Sequence, residues 1–93
     1  AGTFQGQGNS ITAPFQVSTY PCKMAIQTGW VKAGTTILNI QVRSLASLAP
    51  ISEQTLNMGS GTNNRVTNWY IPNGMYYLSI NTHPELNWSI GVQ

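Results

Sequence analysis

Charge is what this sequence has least of. Lys23, Lys32, Arg43, Arg65, Glu53 and Glu85 are its only charged side chains, 6% of the 93 residues, against about a quarter in ordinary globular domains. Aspartate is missing altogether. These gaps exclude much chemistry. Glycoside hydrolysis needs two carboxylates flanking one bond, and Glu53 and Glu85 fall in separate parts of the chain. A calcium site takes six to eight oxygen ligands with several carboxylates, and a Ser-His-Asp triad lacks its Asp. The net charge of +2 rests on four cations with no two closer than nine positions, so no basic stripe for nucleic acid forms.

Cysteine and histidine are equally scarce. Cys22 and His83 stand alone, too few for a zinc site within one chain. Cys22 with His83, and Glu85 to orient the ring, is the one conceivable catalytic set. No helix N-terminus is at hand to lower the thiol pKa. Cys22 reads as a small buried hydrophobe opening a strand, with an intermolecular bridge or a reactive thiol as the alternative, and His83 as a turn residue before Pro84. No phosphate loop accompanies Gly6-x-Gly8 or Gly59-x-Gly61. The expectation is therefore no enzyme, no cofactor and no metal. A run of about 18 apolar residues is also missing, so no membrane insertion is expected. An opening Ala would suit a chain trimmed by signal cleavage and equally an arbitrary start; the expectation is an extracellular or cell-surface protein.

What fills the space is neutral polarity and alternation. Asn, Gln, Ser and Thr make up 34 residues. Apolar side chains recur at every second position in Phe15–Val17, Cys22–Ile26, Leu38–Val42, Tyr76–Ile80 and Trp88–Val92. Period 2 repeated this often predicts half-buried antiparallel strands. The reading is all-β: one β-sandwich over 1–93, jelly-roll-like, with about seven or eight strands. Phe15, Val17, Met24, Ile26, Leu38, Ile40, Val42, Tyr76, Leu78, Ile80, Trp88, Ile90 and Val92 are the predicted core. Turns are expected at Thr19-Tyr20-Pro21, Lys32-Ala33-Gly34, Gly59-Ser60-Gly61, Pro72-Asn73-Gly74 and His83-Pro84. Asn73-Gly74 reads as a hairpin turn, and Asn57–Asn64 as a flexible loop. Arg43–Ile51 reads equally as one helical turn ended by Pro50 or as a loop whose apolar residues cap one end of the core.

The segments Phe4-Gln5-Gly6-Gln7-Gly8, Ile11-Thr12-Ala13-Pro14-Phe15, Gly74-Met75-Tyr76-Tyr77-Leu78-Ser79-Ile80 and Asn87-Trp88-Ser89-Ile90 together resemble bacterial secreted β-sandwich domains of the pre-peptidase C-terminal type. The likeness covers both ends of the chain; residues 30–65 share only the alternation. It implies an exported, non-catalytic accessory or surface module. Such domains usually keep more Asp and Glu, so no calcium role carries over.

Binding through neutral groups remains. Trp30, Trp69, Tyr70 and Tyr77 do not all fit the inward register, and one of Trp69 and Tyr70 must face outward. These four are the candidate binding residues. Aromatics at a surface suit protein contact, and beside Asn, Gln and Thr they suit glycans. The primary expectation is a module acting through protein–protein contact or self-association, by edge-strand pairing at the N-terminal strand or at Asn87–Gln93, neither of which has a guarding charge. A lectin-like glycan binder and a structural subunit of an extracellular filament or virion are the alternatives. Asn87-Trp88-Ser89 also matches a glycosylation sequon.

Overall fold

The computed structural model describes residues 2–93. They form seven strands: β1 (Gly2–Gln7), β2 (Ser10–Ile11), β3 (Phe15–Val17), β4 (Cys22–Ser44), β5 (Pro50–Trp69), β6 (Gly74–Thr82) and β7 (Asn87–Val92). All pairings are antiparallel and belong to one sheet that folds over on itself. The all-β expectation holds, with the two layers supplied by two halves of the same sheet.

The fold is organised by β4. Twenty-three residues drawn out straight would span about 75 Å, yet the molecule is only 39 Å long. The strand must bend, and β5 bends with it. The first half of β4 pairs β7 over Met24–Gly29, and the second half pairs β6 over Leu38–Ser44. β5 follows β4 along both halves. One layer is therefore β1, β7, the first half of β4 and the second half of β5. The other is β2 and β3, β6, the second half of β4 and the first half of β5.

The bend lies where the register jumps, between Trp30 opposite Gly61 and Thr35 opposite Gly59. Gly34 and Gly61 take φ of +88° and +81° there, a region that L side chains enter only at a cost. This corrects two expectations. Lys32-Ala33-Gly34 and Gly59-Ser60-Gly61 are not separate turns but the two sides of one kink, and Asn57–Asn64 is part of β5 rather than a loop. The connection after β4 is the true hairpin loop. It holds a single helical turn closed by Leu48 N–H to Ser44 O at 2.7 Å, and Pro50 opens β5.

The C-terminal segments are also rearranged. β6 pairs β2, β3 and β4, and β7 pairs β1 and β4, but neither pairs β5 or the other. The Asn73-Gly74 turn is thus an arch between layers, not a hairpin, held by Tyr76 Oη–H donating to Pro72 O at 2.6 Å. His83-Pro84 arches back in the same way. Because β7 lies between β1 and β4, Asn87–Gln93 is not a free edge.

All thirteen residues expected in the core are buried, joined by Cys22, Trp30, Leu56, Met58, Trp69, Ile71 and Leu86. On its inward side β5 mixes the buried Leu56, Met58 and Trp69 with the half-buried Gln54, Asn63 and Thr67. Its two halves are laced together by Gln54 Nε2 to Asn68 O (3.3 Å), Arg65 Nη2 to Asn57 O (2.9 Å) and Asn63 Nδ2 to Gly59 O (2.8 Å). β5 thereby closes that mouth of the sandwich on itself. Among the described residues no helix is long and apolar enough to cross a membrane.

Candidate functional site

The four candidate aromatics do not form one patch. Trp30 and Trp69 are buried, at 5% and 0% exposure, which removes both from any surface. The alternation Cys22, Met24, Ile26, Thr28 carries straight on to Trp30, whose ring stands edge-on to His83 at 4.8 Å. Trp69 faces inward because it pairs with Cys22; the small thiol leaves room for the indole. Its Nε1–H donates to Thr67 Oγ1 at 2.7 Å. Tyr70 is then forced outward, 66% exposed, where it meets Tyr20 edge-to-face at 5.8 Å. Tyr77 is half-buried on the outer face of the other layer, opposite Arg43.

Cys22 and His83 stand far apart. Cys22 Sγ lies 3.6 Å from Gln93 O, and burial pushes its thiol pKa up. Its strand carries Trp30, the neighbour of His83, eight residues or about 26 Å further on. Among the described residues no three of His, Cys, Asp and Glu cluster.

A different surface has the geometry of a site. On the outer face of the β1–β7–β4 layer, antiparallel register aligns Gln5, Ser89 and Gln27 in one cross-strand row, and Gln7, Asn87 and Gly29 in the next. Successive outward rows on a strand stand about 7 Å apart. The backbone of Gly6, Trp88 and Thr28, whose side chains belong to the opposite face, lies between them. The result is a groove of about 520 Å³, bounded on the β5 side by Thr62. Gly29 leaves it open: a Cβ there would meet Asn87 Cβ at 3.8 Å, an ordinary contact, so the fold itself does not demand glycine.

No lining residue ionises near neutral pH, so the groove offers neither nucleophile nor general base. It offers carboxamides and hydroxyls. On the opposite layer such groups are held by charged neighbours. There Asn39 Nδ2 and Gln41 Nε2 donate to Glu53 Oε2 at 2.8 and 3.0 Å, and Arg43 Nη2 donates to Gln41 Oε1 at 2.8 Å. Those two amide donors hold the Glu53 carboxyl below the usual carboxylate range. Among the described residues no bond of this kind ties Gln5, Gln7, Gln27 or Asn87.

Each of the four amides sits outward on a strand whose alternate residues are buried, or half-buried in β1. That alternation was the available signal. It marks them as exposed but not as neighbours, because β1, β4 and β7 are brought together only by the arches.

Comparison with family models, with curated proteins and with solved structures finds no match to this chain. What fold and site define is a class: a small, nearly uncharged all-β domain with an amide-lined groove beside an open strand edge.

Proposed function

We propose that this chain is a non-catalytic, exported or cell-surface module that associates with a second copy of itself through β1. The observation that carries this is the state of the sheet edges. Exposed edges are normally blunted by charge, proline, bulges or brevity. β2 and β3 are two and three residues long, with Pro14 between them. β5 carries Glu53 and Arg65, is broken by the kink, and is laced to itself. β1 has six residues, Gly-Thr-Phe-Gln-Gly-Gln, with no charge and no proline.

Its free groups can be assigned. Gly8 N–H donates to Leu86 O at 3.0 Å, in the same register as the β1–β7 ladder. Hydrogen-bonded pairs alternate in an antiparallel ladder, so Gly2, Phe4 and Gly6 bond toward β7. Thr3, Gln5 and Gln7 then direct their backbone N–H and C=O away from the sheet. An antiparallel pairing of β1 with its own copy is two-fold symmetric and opposes no like charges. A single open edge closes a pair and does not propagate, which favours a dimer over a filament.

The test is Thr3→Pro. It deletes one outward N–H and no ladder bond, and proline is tolerated on an edge. Light scattering after size-exclusion chromatography should show a concentration-dependent dimer for the wild type and a monomer for the variant. The wild type staying monomeric at millimolar concentration refutes the reading.

A further inference from the structure

We propose that the groove between the Gln5–Ser89–Gln27 and Gln7–Asn87–Gly29 rows is a binding site for a neutral carbohydrate. The site lies on the outer face next to the free edge of β1, whose Gln5 and Gln7 side chains line it, and the inference does not rest on self-association. Three observations converge. The first is electrical: no charged side chain lines the groove, so neither an anionic nor a cationic ligand finds a counter-charge. The second is unspent hydrogen-bonding capacity. A carboxamide both donates and accepts, as a sugar hydroxyl does, and the four amides stand on both sides of the groove. On the opposite layer the same residue types are tied to the charged Glu53 and Arg43, and the groove has no charged side chain to occupy its amides.

The third is shape. The concavity, about 520 Å³, is shallow and open to solvent, so it suits a ring lying flat on the sheet and not a ligand that must be enclosed. The floor is backbone, with Gly29 supplying open space, so a flat ring can lie against it while its rim of hydroxyls meets the amides. A peptide would spend its backbone groups better at a strand edge than on a sheet face, which is why the groove is assigned to a polyol ring. The candidate aromatics play no part: Tyr70 and Tyr77 do not line the groove.

The test is amide-detected NMR titration of the ¹⁵N-labelled chain with a panel of neutral disaccharides (cellobiose, maltose, lactose and chitobiose) and with a sulfated heparin disaccharide. At least one neutral sugar should produce saturable shifts at Gly6, Gly29, Asn87 and Ser89 and in the side-chain NH₂ groups of the four amides, with Kd in the millimolar range. Gly29→Tyr should fill the groove and abolish these shifts. It adds a good strand former at a position whose Cβ has room, so an unchanged spectrum elsewhere reports the fold intact. Gln27→Ala combined with Asn87→Ala should weaken binding about tenfold or more. Thr3→Pro should leave it unchanged. The proposal is overturned by any of three results: no neutral sugar shifting the groove amides, Gly29→Tyr binding as wild type does, or the sulfated disaccharide binding in preference to the neutral ones.

Discussion

Thr28 shows most sharply what one atom costs here. Its side chain is buried and its Oγ1 has no hydrogen-bond partner, and two residues on, Trp30 Nε1 is in the same position. An unpaired buried hydroxyl carries a desolvation penalty that an apolar group of the same shape does not. Thr28→Val should therefore stabilise the domain by about 1 kcal/mol, read as a higher urea midpoint at constant slope, whereas Thr28→Ser should destabilise it. Gly6 makes the opposite point. A Cβ there would stand 2.8 Å from Trp88 Cζ2, and that ring is buried with its Nε1–H fixed to Gly8 O at 2.9 Å. It cannot swing aside, so Gly6→Ala should cost about 1–3 kcal/mol as overpacking in the same assay. At this scale the sequence was highly legible. Period 2 assigns Phe15, Leu38, Ile40, Trp88 and their like to the core because each strand has one wet face. Trp30 was legible too, by continuing the register from Cys22; it was misread by weighing its ring chemistry above its position.

At the scale of elements, local signals named the punctuation but not its meaning. Glycine clusters at 34 and at 59–61 mark departures from regular backbone, yet a turn and a kink in a continuing strand need the same φ values. Only the pairing of Thr35 with Gly59 and Trp30 with Gly61 shows that the two clusters face each other. The Asn-Gly arch is alike: the dipeptide fixes a reversal, while the partner of the next strand is decided by burial far away. The kink gives a clean backbone test. Nothing lies within 4 Å of a Cβ built on Gly34 or Gly61, so Gly61→Ala meets no clash and should cost about 1–2 kcal/mol from left-handed backbone alone. Gly61→Asn should recover part of that, since Asn visits this region more readily. Equal losses for Ala and Asn in thermal or urea unfolding would mean that the kink relaxes into another geometry. The groove lay beyond any local reading, for its rows come from three strands separated by the arches.

For the molecule as a whole, scarcity of charge predicts how stability and association respond to the medium. The only side-chain carboxylates are Glu53 and Glu85. Hydrogen bonds from Gln41 and Asn39 hold Glu53 low, and the ammonium of Lys32, 3.0 Å away, holds Glu85 low. A carboxyl whose folded pKa is depressed contributes stability that is present in full above its unfolded value, about 4.3, and is lost as the pH falls through the folded value. Both groups lie at the surface, where solvent screening keeps such contributions small. Neither carboxyl therefore adds any slope to the urea midpoint between about pH 5 and pH 8; below about pH 4.3 they add a shallow decline, and Glu53→Gln should remove part of it. Association should be equally indifferent. β1 has no charged side chain, so pairing through its N–H and C=O groups releases no counter-ions and opposes no net charge. The dimer dissociation constant should then change little between about 0.05 and 0.5 M salt, although the Debye length shrinks from well over 10 Å to about 4 Å. Sedimentation equilibrium across that range is the measurement. A dimer that weakens steeply with salt would place the contact on Lys32, Glu85, Arg43 or Arg65 and not on the β1 edge.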